Sequence, residues 1–196
     1  MPPRARARRY DPAKTRAAVT AQLQHVQDAV RELDEERLGA PTRVGGRSVR
    51  ELIAHLPAAA DEDDVLVTRC VELVVHSDDL AAATGLAVAY DRQALATAVR
   101  SLADGLAAKA PGGSVELRIP PFAVVQCVEG PRHTRGTPPN VVETDPLTWV
   151  RLATGRIGWA EALEAGEVTA SGERADLAAH LPVLAGSCGD TASRQV

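Results

Sequence analysis

Aromatic residues, cysteines and long apolar runs are all scarce in this chain. Aromatic side chains make up 3% of the 196 residues, so the core has to be built from leucine, valine, isoleucine and alanine. The cysteines are three in number and scattered, which argues against a disulfide framework and favours free thiols. We find no apolar segment of about 18 residues or more that could span a bilayer. We therefore expect a soluble cytoplasmic protein.

Excess charge of either sign is also lacking. The formal net charge is -4, which excludes a general electrostatic grip on nucleic acid or on an anionic membrane. Four arginines cluster near the amino terminus without a following apolar segment, so they indicate neither a secretory signal nor an anchor: Arg4, Arg6, Arg8 and Arg9. We expect residues 1–11 to form a disordered basic tail and residues 185–196 a flexible one.

The first helix signal is Asp11-Pro12, an aspartate cap followed by proline at the first helical position. Apolar residues then recur at spacings of three and four, as the buried face of an amphipathic helix requires: Val19, Leu23, Val26, Val30 and Leu33. The pattern predicts one helix of roughly 25 residues that ends at Gly39 and Pro41.

A capping box begins the second predicted helix. In Ser48-Val49-Arg50-Glu51, the Ser48 and Glu51 side chains can each accept a hydrogen bond from the other residue's free backbone amide. This helix is short because Pro57 stops it, and His55 lies beside its apolar stripe. A further helix is predicted from about residue 91 to residue 110.

The valine-rich segment of residues 65–75 has two interpretations. Its β-branched side chains are typical of strands. The acidic run of residues 61–64, however, places negative charge where a helix would begin, and Gly85 follows as a helix end. We therefore predict a helix that runs to about Ala83.

Beyond residue 110 the pattern changes to short alternating segments. Val115, Leu117 and Ile119 alternate with charged residues, as in a half-buried strand. The remaining predicted elements are strands at 123–128 and around 141–142, a helix after Asp145-Pro146, a short helix at 159–165, a strand at 168–170 and a helix near 177–181. The sequence thus predicts an α+β protein with a helical bundle at residues 12–90 and an α+β domain at residues 91–184.

Glu72 and His76 are the strongest functional signal. They lie four residues apart in an otherwise apolar stretch, so on a helix both side chains project from one face and can reach one metal ion. A catalytic zinc site commonly takes three protein ligands and leaves one position open. His55, on the neighbouring predicted helix, is the natural third ligand.

The surroundings of this pair leave alternatives open. Asp79 could orient a ligand imidazole through its second ring nitrogen, and Asp78 competes for that role. Glu72 and His76 could instead pair with each other or with Arg69, as ordinary charges on a helix surface do.

The second half offers one further polar group. Arg132, His133 and Arg135 form a small basic cluster that could hold a carboxylate or phosphate, although a solvated loop is the simpler explanation. No serine or cysteine nucleophile has a base placed by a recognisable motif, and no glycine loop of the phosphate-binding kind is present.

Two stretches carry a family resemblance. Ser48 to Leu56 and Glu72 to Leu80 resemble the metal-binding domain of the mycothiol-dependent maleylpyruvate isomerase family. That family has a DinB-like four-helix bundle, so the resemblance implies that His55, Glu72 and His76 hold a divalent metal, usually zinc. It also implies that the open position receives the thiolate of mycothiol, the small thiol of actinobacteria.

The second half resembles the bacterial sterol-carrier-protein-like domain that follows such bundles. The stretches that carry this likeness are residues 139–149 and 166–172, together with Leu152 and Gly155. The resemblance implies a sterol-carrier-like α+β fold with helices on one face of a sheet around an apolar cavity. The whole chain is thus expected to be a partial DinB-like bundle followed by a sterol-carrier-like domain.

The chain departs from the isomerase family at two points. Only residues 56–71 separate the first histidine from the glutamate, where family members have further helix, and Arg47 stands where they tend to have tryptophan. A bundle that lacks a helix leaves apolar surface uncovered, so we expect a homodimer through that surface, or reduced stability.

Two functions follow as hypotheses. The first is a metal- and thiol-dependent isomerase or transferase that acts on a small electrophilic molecule. The second is a non-enzymatic carrier of an apolar ligand, with a structural or vestigial metal site.

Overall fold

The computed structural model describes residues 8–43, 45–56, 62–130 and 139–184. Its first half is helical, and a short 3₁₀ turn, Asp63–Val65, precedes the fourth helix. The helices are α1 (Pro12–Val30), α2 (Glu35–Gly39), α3 (Val49–Ala54), α4 (Leu66–Thr84) and α5 (Arg92–Lys109). Within the described residues, none of the helices has both the length and the apolar character that crossing a bilayer requires.

The second half combines a small mixed sheet with two more helices. Its elements are β1 (Val115–Ile119), β2 (Ala123–Cys127), β3 (Val141–Thr144), α6 (Pro146–Ala153), α7 (Trp159–Glu164) and β4 (Val168–Ser171), followed by a 3₁₀ turn at Ala178–His180. The strand order is β2-β1-β3-β4, with β1 and β3 parallel and both outer pairs antiparallel. The predicted α+β class is confirmed.

The valine-rich segment is helical, as its flanks predicted. Asp63 and Asp64 lie in the turn that leads into α4, and Gly85 ends the helix in the left-handed conformation, with φ of 71°. Valine costs a helix roughly a few tenths of a kcal/mol relative to leucine. Most of the valines in this segment are buried against neighbouring helices. Packing therefore outweighs the β-propensity of the segment.

The prediction of a single helix up to Gly39 is wrong. α1 ends at Val30, and Asp34 adopts an extended conformation from which its side chain accepts a hydrogen bond from the Arg37 backbone amide at 2.9 Å. An aspartate that captures a nearby amide in this way competes with helix continuation and begins a new helix. α2 is that new helix.

The capping box at Ser48 is confirmed. The Glu51 carboxylate accepts from the Ser48 amide at 2.8 Å, and the Ser48 hydroxyl accepts from the Glu51 amide at 3.3 Å. Ser48→Ala should lower the free energy of unfolding by about 1 kcal/mol, because it leaves an amide of α3 unpaired. Urea denaturation would measure the change. No loss of stability would mean that α3 contributes nothing to the cooperative unit.

One hydrophobic core runs through both halves of the chain. α5 contacts α1 and α4 on one side and β2 and α6 on the other, so it takes the place of the helix that the bundle was expected to lack. Trp149 anchors the second half and donates its indole N–H to the carbonyl of Val99 in α5, at 3.3 Å. The division into two domains, residues 12–90 and residues 91–184, stays a prediction.

The expected homodimer surface does not stand out in the described residues. Large exposed hydrophobic side chains there are confined to the second half: Val124, Leu163 and Leu184. None of these three side chains belongs to α1, α2, α3 or α4. Dimerisation stays a prediction.

The space between the sheet and its helices is filled. Leu106, Leu117, Ile119, Trp149 and Leu152 are each at most 2% exposed. A pocket with a volume of ≈ 400 Å³ lies elsewhere, around the turn between β1 and β2, and Phe122 and Val124 are among the residues that line it. An apolar ligand of the kind expected for a sterol-carrier-like domain would need the packed core to open.

Of the predicted tails, residues 1–7 and 185–196 lie outside the described residues. Arg8 is described, and its guanidinium donates to the Asp104 carboxylate of α5 at 2.9 Å. Asp11 caps α1 as predicted, because its side chain accepts from the Lys14 amide at 3.0 Å.

Candidate functional site

Four consecutive polar residues of α4 are buried. His76, Ser77, Asp78 and Asp79 are each at most 4% exposed, although they include two carboxylates. Burying an ionised group is costly unless partners compensate it, so each carboxylate needs a cation nearby. α4 packs against three helices, α1, α3 and α5, so more than one face of α4 is buried.

Asp78 is held by two arginines from distant parts of the chain. Arg151 of α6 donates from Nη2 to Oδ1 at 2.6 Å and from Nε to Oδ2 at 3.0 Å. Arg43, in the loop between α2 and α3, donates from Nη2 to Oδ2 at 2.6 Å and to the Asp78 carbonyl at 3.0 Å. The hydrogen bonds to the Asp78 carboxylate in turn raise the pKa of Arg151, so this guanidinium stays charged.

Asp79 forms a second set of contacts one residue on. Arg156 donates from Nη2 to Asp79 Oδ2 at 3.0 Å, and Arg43 Nε lies 3.4 Å from Oδ1. Burial raises the pKa of Asp79, but the His76 ring, Arg156 and Arg43 outweigh burial and hold that pKa below its usual value. We call Arg43, Asp78, Asp79, Arg151 and Arg156 the aspartate–arginine cluster.

A neutral network adjoins this cluster. Gln22 of α1 is fully buried and donates from Nε2 to Ser77 Oγ at 2.9 Å and to the Ala89 carbonyl at 3.1 Å. Its Oε1 accepts from the Asp91 amide at 2.7 Å. Ser77 donates onward to the Leu73 carbonyl at 2.7 Å. All these groups are satisfied, so the network ties α1, α4 and the start of α5 together.

His76, the predicted ligand at the centre of this region, has an unusual environment. Its ring is buried, and Nδ1 has no hydrogen-bond partner among the described residues. The nearest carboxylate oxygen is Asp79 Oδ2, 3.8 Å from Nδ1, which is too far for a hydrogen bond. Asp78, the competing candidate for orienting the ring, faces Arg43 and Arg151 instead.

Glu72 and His55 are placed less favourably. The Glu72 carboxylate accepts from Arg69 Nη1 at 2.8 Å, the pairing that the sequence left open as an alternative. His55 lies exposed at the end of α3, with Nδ1 2.6 Å from the Glu51 carbonyl. A carbonyl can only accept, so Nδ1 carries a proton, and in the neutral ring Nε2 has the lone pair.

The three predicted ligands are not grouped around one point. Among the described residues, no three His, Cys, Asp or Glu side chains are arranged to hold a metal ion. By donor type they do fit one. Two neutral imidazoles and a carboxylate are a common zinc set, His55 has an available Nε2, and His76 Nδ1 is a buried atom without a partner. Coordination would require the Glu72 carboxylate to leave Arg69.

The other reactive candidates give no site within the described structure. Arg132, His133 and Arg135 lie outside the described residues. Burial raises the pKa of Cys70 to about 12 and that of Cys127 to about 11, so both thiols are protonated and inert near neutral pH. Neither of these two thiols can serve as a nucleophile, and Cys188 lies outside the described residues.

Sequence reasoning missed the three arginines of the cluster. The signal was indirect, because Asp78 and Asp79 in a buried helix both demand cationic partners. Arg43, Arg151 and Arg156 are separated from them by 35 to 77 positions along the chain. Separations of that size cannot be paired by inspection of one sequence.

The chain is similar to known proteins in two respects, in the sequence of its second half and in its fold. Residues 91–183 match the family model described as a bacterial SCP ortholog. Among solved structures, the fold is similar to the crystal structure of a histidine-to-alanine mutant of the mycothiol-dependent maleylpyruvate isomerase, with a TM-score of 0.55 over 83% of this chain and 93% of that chain. At 12% identity this likeness shows the fold alone. No curated protein matches the sequence. Residues 91–183 therefore carry the similarity to a bacterial SCP ortholog, behind a helical bundle in a chain whose fold is similar to that of the isomerase.

Proposed function

We propose that this protein binds a divalent metal, with zinc the first candidate, through His55, Glu72 and His76. We further propose that it uses a small thiol of the mycothiol kind in an isomerase or transferase reaction. The observation that carries the proposal is the buried His76 ring, one helical turn from Glu72, whose Nδ1 has no hydrogen-bond partner in the part of the chain that the structure describes. A buried polar atom without a partner is rare and calls for an explanation, and a bound cation supplies one.

Different residues of the chain would have different roles at this site. His55 offers Nε2 because the Glu51 carbonyl holds its Nδ1 proton, and Asp79 lies next to the His76 ring. A metal bound there supplies a Lewis acid that lowers the pKa of a coordinated thiol. The thiol would come from solution, because the two described cysteines, Cys70 and Cys127, are buried and protonated.

The aspartate–arginine cluster would select the substrate. It contains three guanidinium groups and two carboxylates, so it carries a net positive charge beside His76. Arg43 and Arg151 are each about one third exposed and could reach a bound molecule. A small electrophile that carries a carboxylate would be attracted to this end of α4.

Metal content tests the proposal directly. The purified protein should contain about one equivalent of a divalent metal, as three ligands with one open position imply, and a His55→Ala, His76→Ala double variant should contain none. Elemental mass spectrometry would measure both. A matched control is His25→Ala on α1, which should keep the metal. A protein that stays metal-free after exposure to zinc would rule the proposal out.

A second candidate is the non-enzymatic carrier of an apolar ligand, with a vestigial metal site. The ion pair between Glu72 and Arg69 favours it, together with the bacterial SCP ortholog match of residues 91–183. A carrier should bind a fluorescent fatty acid equally well in the wild type and in the double histidine variant. Ligand binding that survives in a metal-free protein would support this function over the first.

A further inference from the structure

The contact between Arg69 and Glu72 occupies one of the three predicted ligands. Arg69 Nη1 donates to Glu72 Oε2 at 2.8 Å, and both residues belong to α4, three positions apart. The Glu72 side chain is 15% exposed, so the carboxylate is largely removed from water, and this guanidinium is the partner that satisfies it. A carboxylate in that position cannot also coordinate a cation without giving up the pair.

Arg69 itself is held in place mainly by this carboxylate. Its side chain is 35% exposed, and its Nε is buried with no hydrogen-bond partner among the described residues. An arginine with an unsatisfied Nε is not fixed by a complete hydrogen-bond set, so it can turn outward into water. The helix needs no rearrangement for this motion, because only side-chain torsions change.

We propose that Arg69 gates the metal site: it pairs with Glu72 while no metal is bound and has to release the carboxylate before Glu72 can coordinate a cation. This inference rests on the proposed metal-binding function. The gate opposes binding in two ways, because the pair must be broken and because a guanidinium one turn away repels an incoming cation.

Removal of the gate should strengthen metal binding. Arg69→Gln removes the charge and keeps a polar side chain. We expect its Zn²⁺ affinity to be roughly five- to tenfold higher than that of the wild type, because a partly exposed ion pair no longer has to be broken and the repulsion between the guanidinium and the cation is gone. Arg69→Lys keeps the charge and should stay within about twofold of the wild type. Competition between the protein and a chromogenic zinc chelator would measure each affinity.

Arg31→Gln is the matched control. Arg31 forms the same kind of pair with Asp28, three positions away, at 2.8 Å on the surface at the end of α1. Its replacement should leave Zn²⁺ affinity unchanged. Circular dichroism and thermal melting would verify that each variant is folded.

The outcomes separate the gate from the function on which it rests. Tighter binding by Arg69→Gln, with Arg69→Lys and Arg31→Gln like the wild type, supports the gate. Equal Zn²⁺ affinity in the wild type and in Arg69→Gln overturns the gate but leaves the proposed metal site in place. The same conclusion follows if Arg69→Lys binds Zn²⁺ as tightly as Arg69→Gln does. No zinc binding by any variant overturns both.

Discussion

Asp79→Asn should lower the free energy of unfolding by about 3–5 kcal/mol, the usual result of removing one member of a buried ion pair. Asp79 is fully buried, and Arg156 beside it is 13% exposed. The asparagine keeps the shape of the side chain but leaves Arg156 with an uncompensated charge in a poorly hydrated place. The carboxylate also draws Arg43, so the loop between α2 and α3 should loosen as well.

Asp28→Asn is the matched control for this variant. Asp28 also pairs with an arginine, but its side chain is 53% exposed. Exposed pairs contribute about 0–1 kcal/mol, so this replacement should leave stability nearly unchanged. Urea denaturation of both variants at neutral pH makes the comparison. A loss below about 1 kcal/mol for Asp79→Asn would show that the cluster does not stabilise the fold.

The same carboxylate predicts a pH dependence. Its pKa in the folded protein lies below the ordinary value of 3.8, because His76, Arg156 and Arg43 favour the charged form against the opposing effect of burial. A lowered folded-state pKa gives stability that is present above pH 3.8 and is lost as the pH falls through the folded-state value. The difference in stability between wild type and Asp79→Asn should therefore shrink as the pH is lowered below about 4. A difference that stays constant down to pH 2 would contradict this assignment.

Gln22→Leu should lower the free energy of unfolding by about 1–3 kcal/mol, the cost of taking a partner from a buried polar group such as the Ser77 hydroxyl. Leucine fits the volume but cannot pair with the Ala89 carbonyl or the Asp91 amide, which Gln22 satisfies at 3.1 and 2.7 Å. The start of α5 should then protect its amides from hydrogen exchange less strongly.

Gln24→Leu provides the comparison on the same helix. Gln24 is exposed and donates to Asp28 at 2.8 Å, so its loss leaves no buried group unpaired. It should change stability by about 0.5 kcal/mol or less, as surface substitutions usually do. Equal effects of the two leucine variants would mean that the buried network contributes nothing beyond its packing.

Local signals in the sequence predicted most of the elements. Ser48 with Glu51, Asp145 with Pro146 and Gly85 each mark a helix end through contacts within a few residues, and the structure has each end as predicted. The alternation in residues 115–119 likewise predicted β1. The break between α1 and α2 was missed because the apolar spacing continues through Leu33 while Asp34 captures a backbone amide.

The predicted site was only partly accessible from sequence. Glu72 and His76 share one helix, so their spacing places them on one face whatever surrounds them. His55, Arg43 and Arg151 come from other segments, and their positions depend on how the helices pack. Spacing therefore identified the donor types but not the ion pairs that now occupy Glu72 and Asp78.

The sequence by itself determined the α+β class, the helical state of residues 66–84 and the chemistry that α4 can offer, because these depend on composition and on contacts between near neighbours. The tertiary structure decided which charges meet. Burial removes water from Asp78 and Asp79, so their partners have to be arginines that the fold brings from α6, from the loop after α6 and from the loop before α3. It also decided that α5 closes the helical bundle, since only packing shows which apolar faces cover one another.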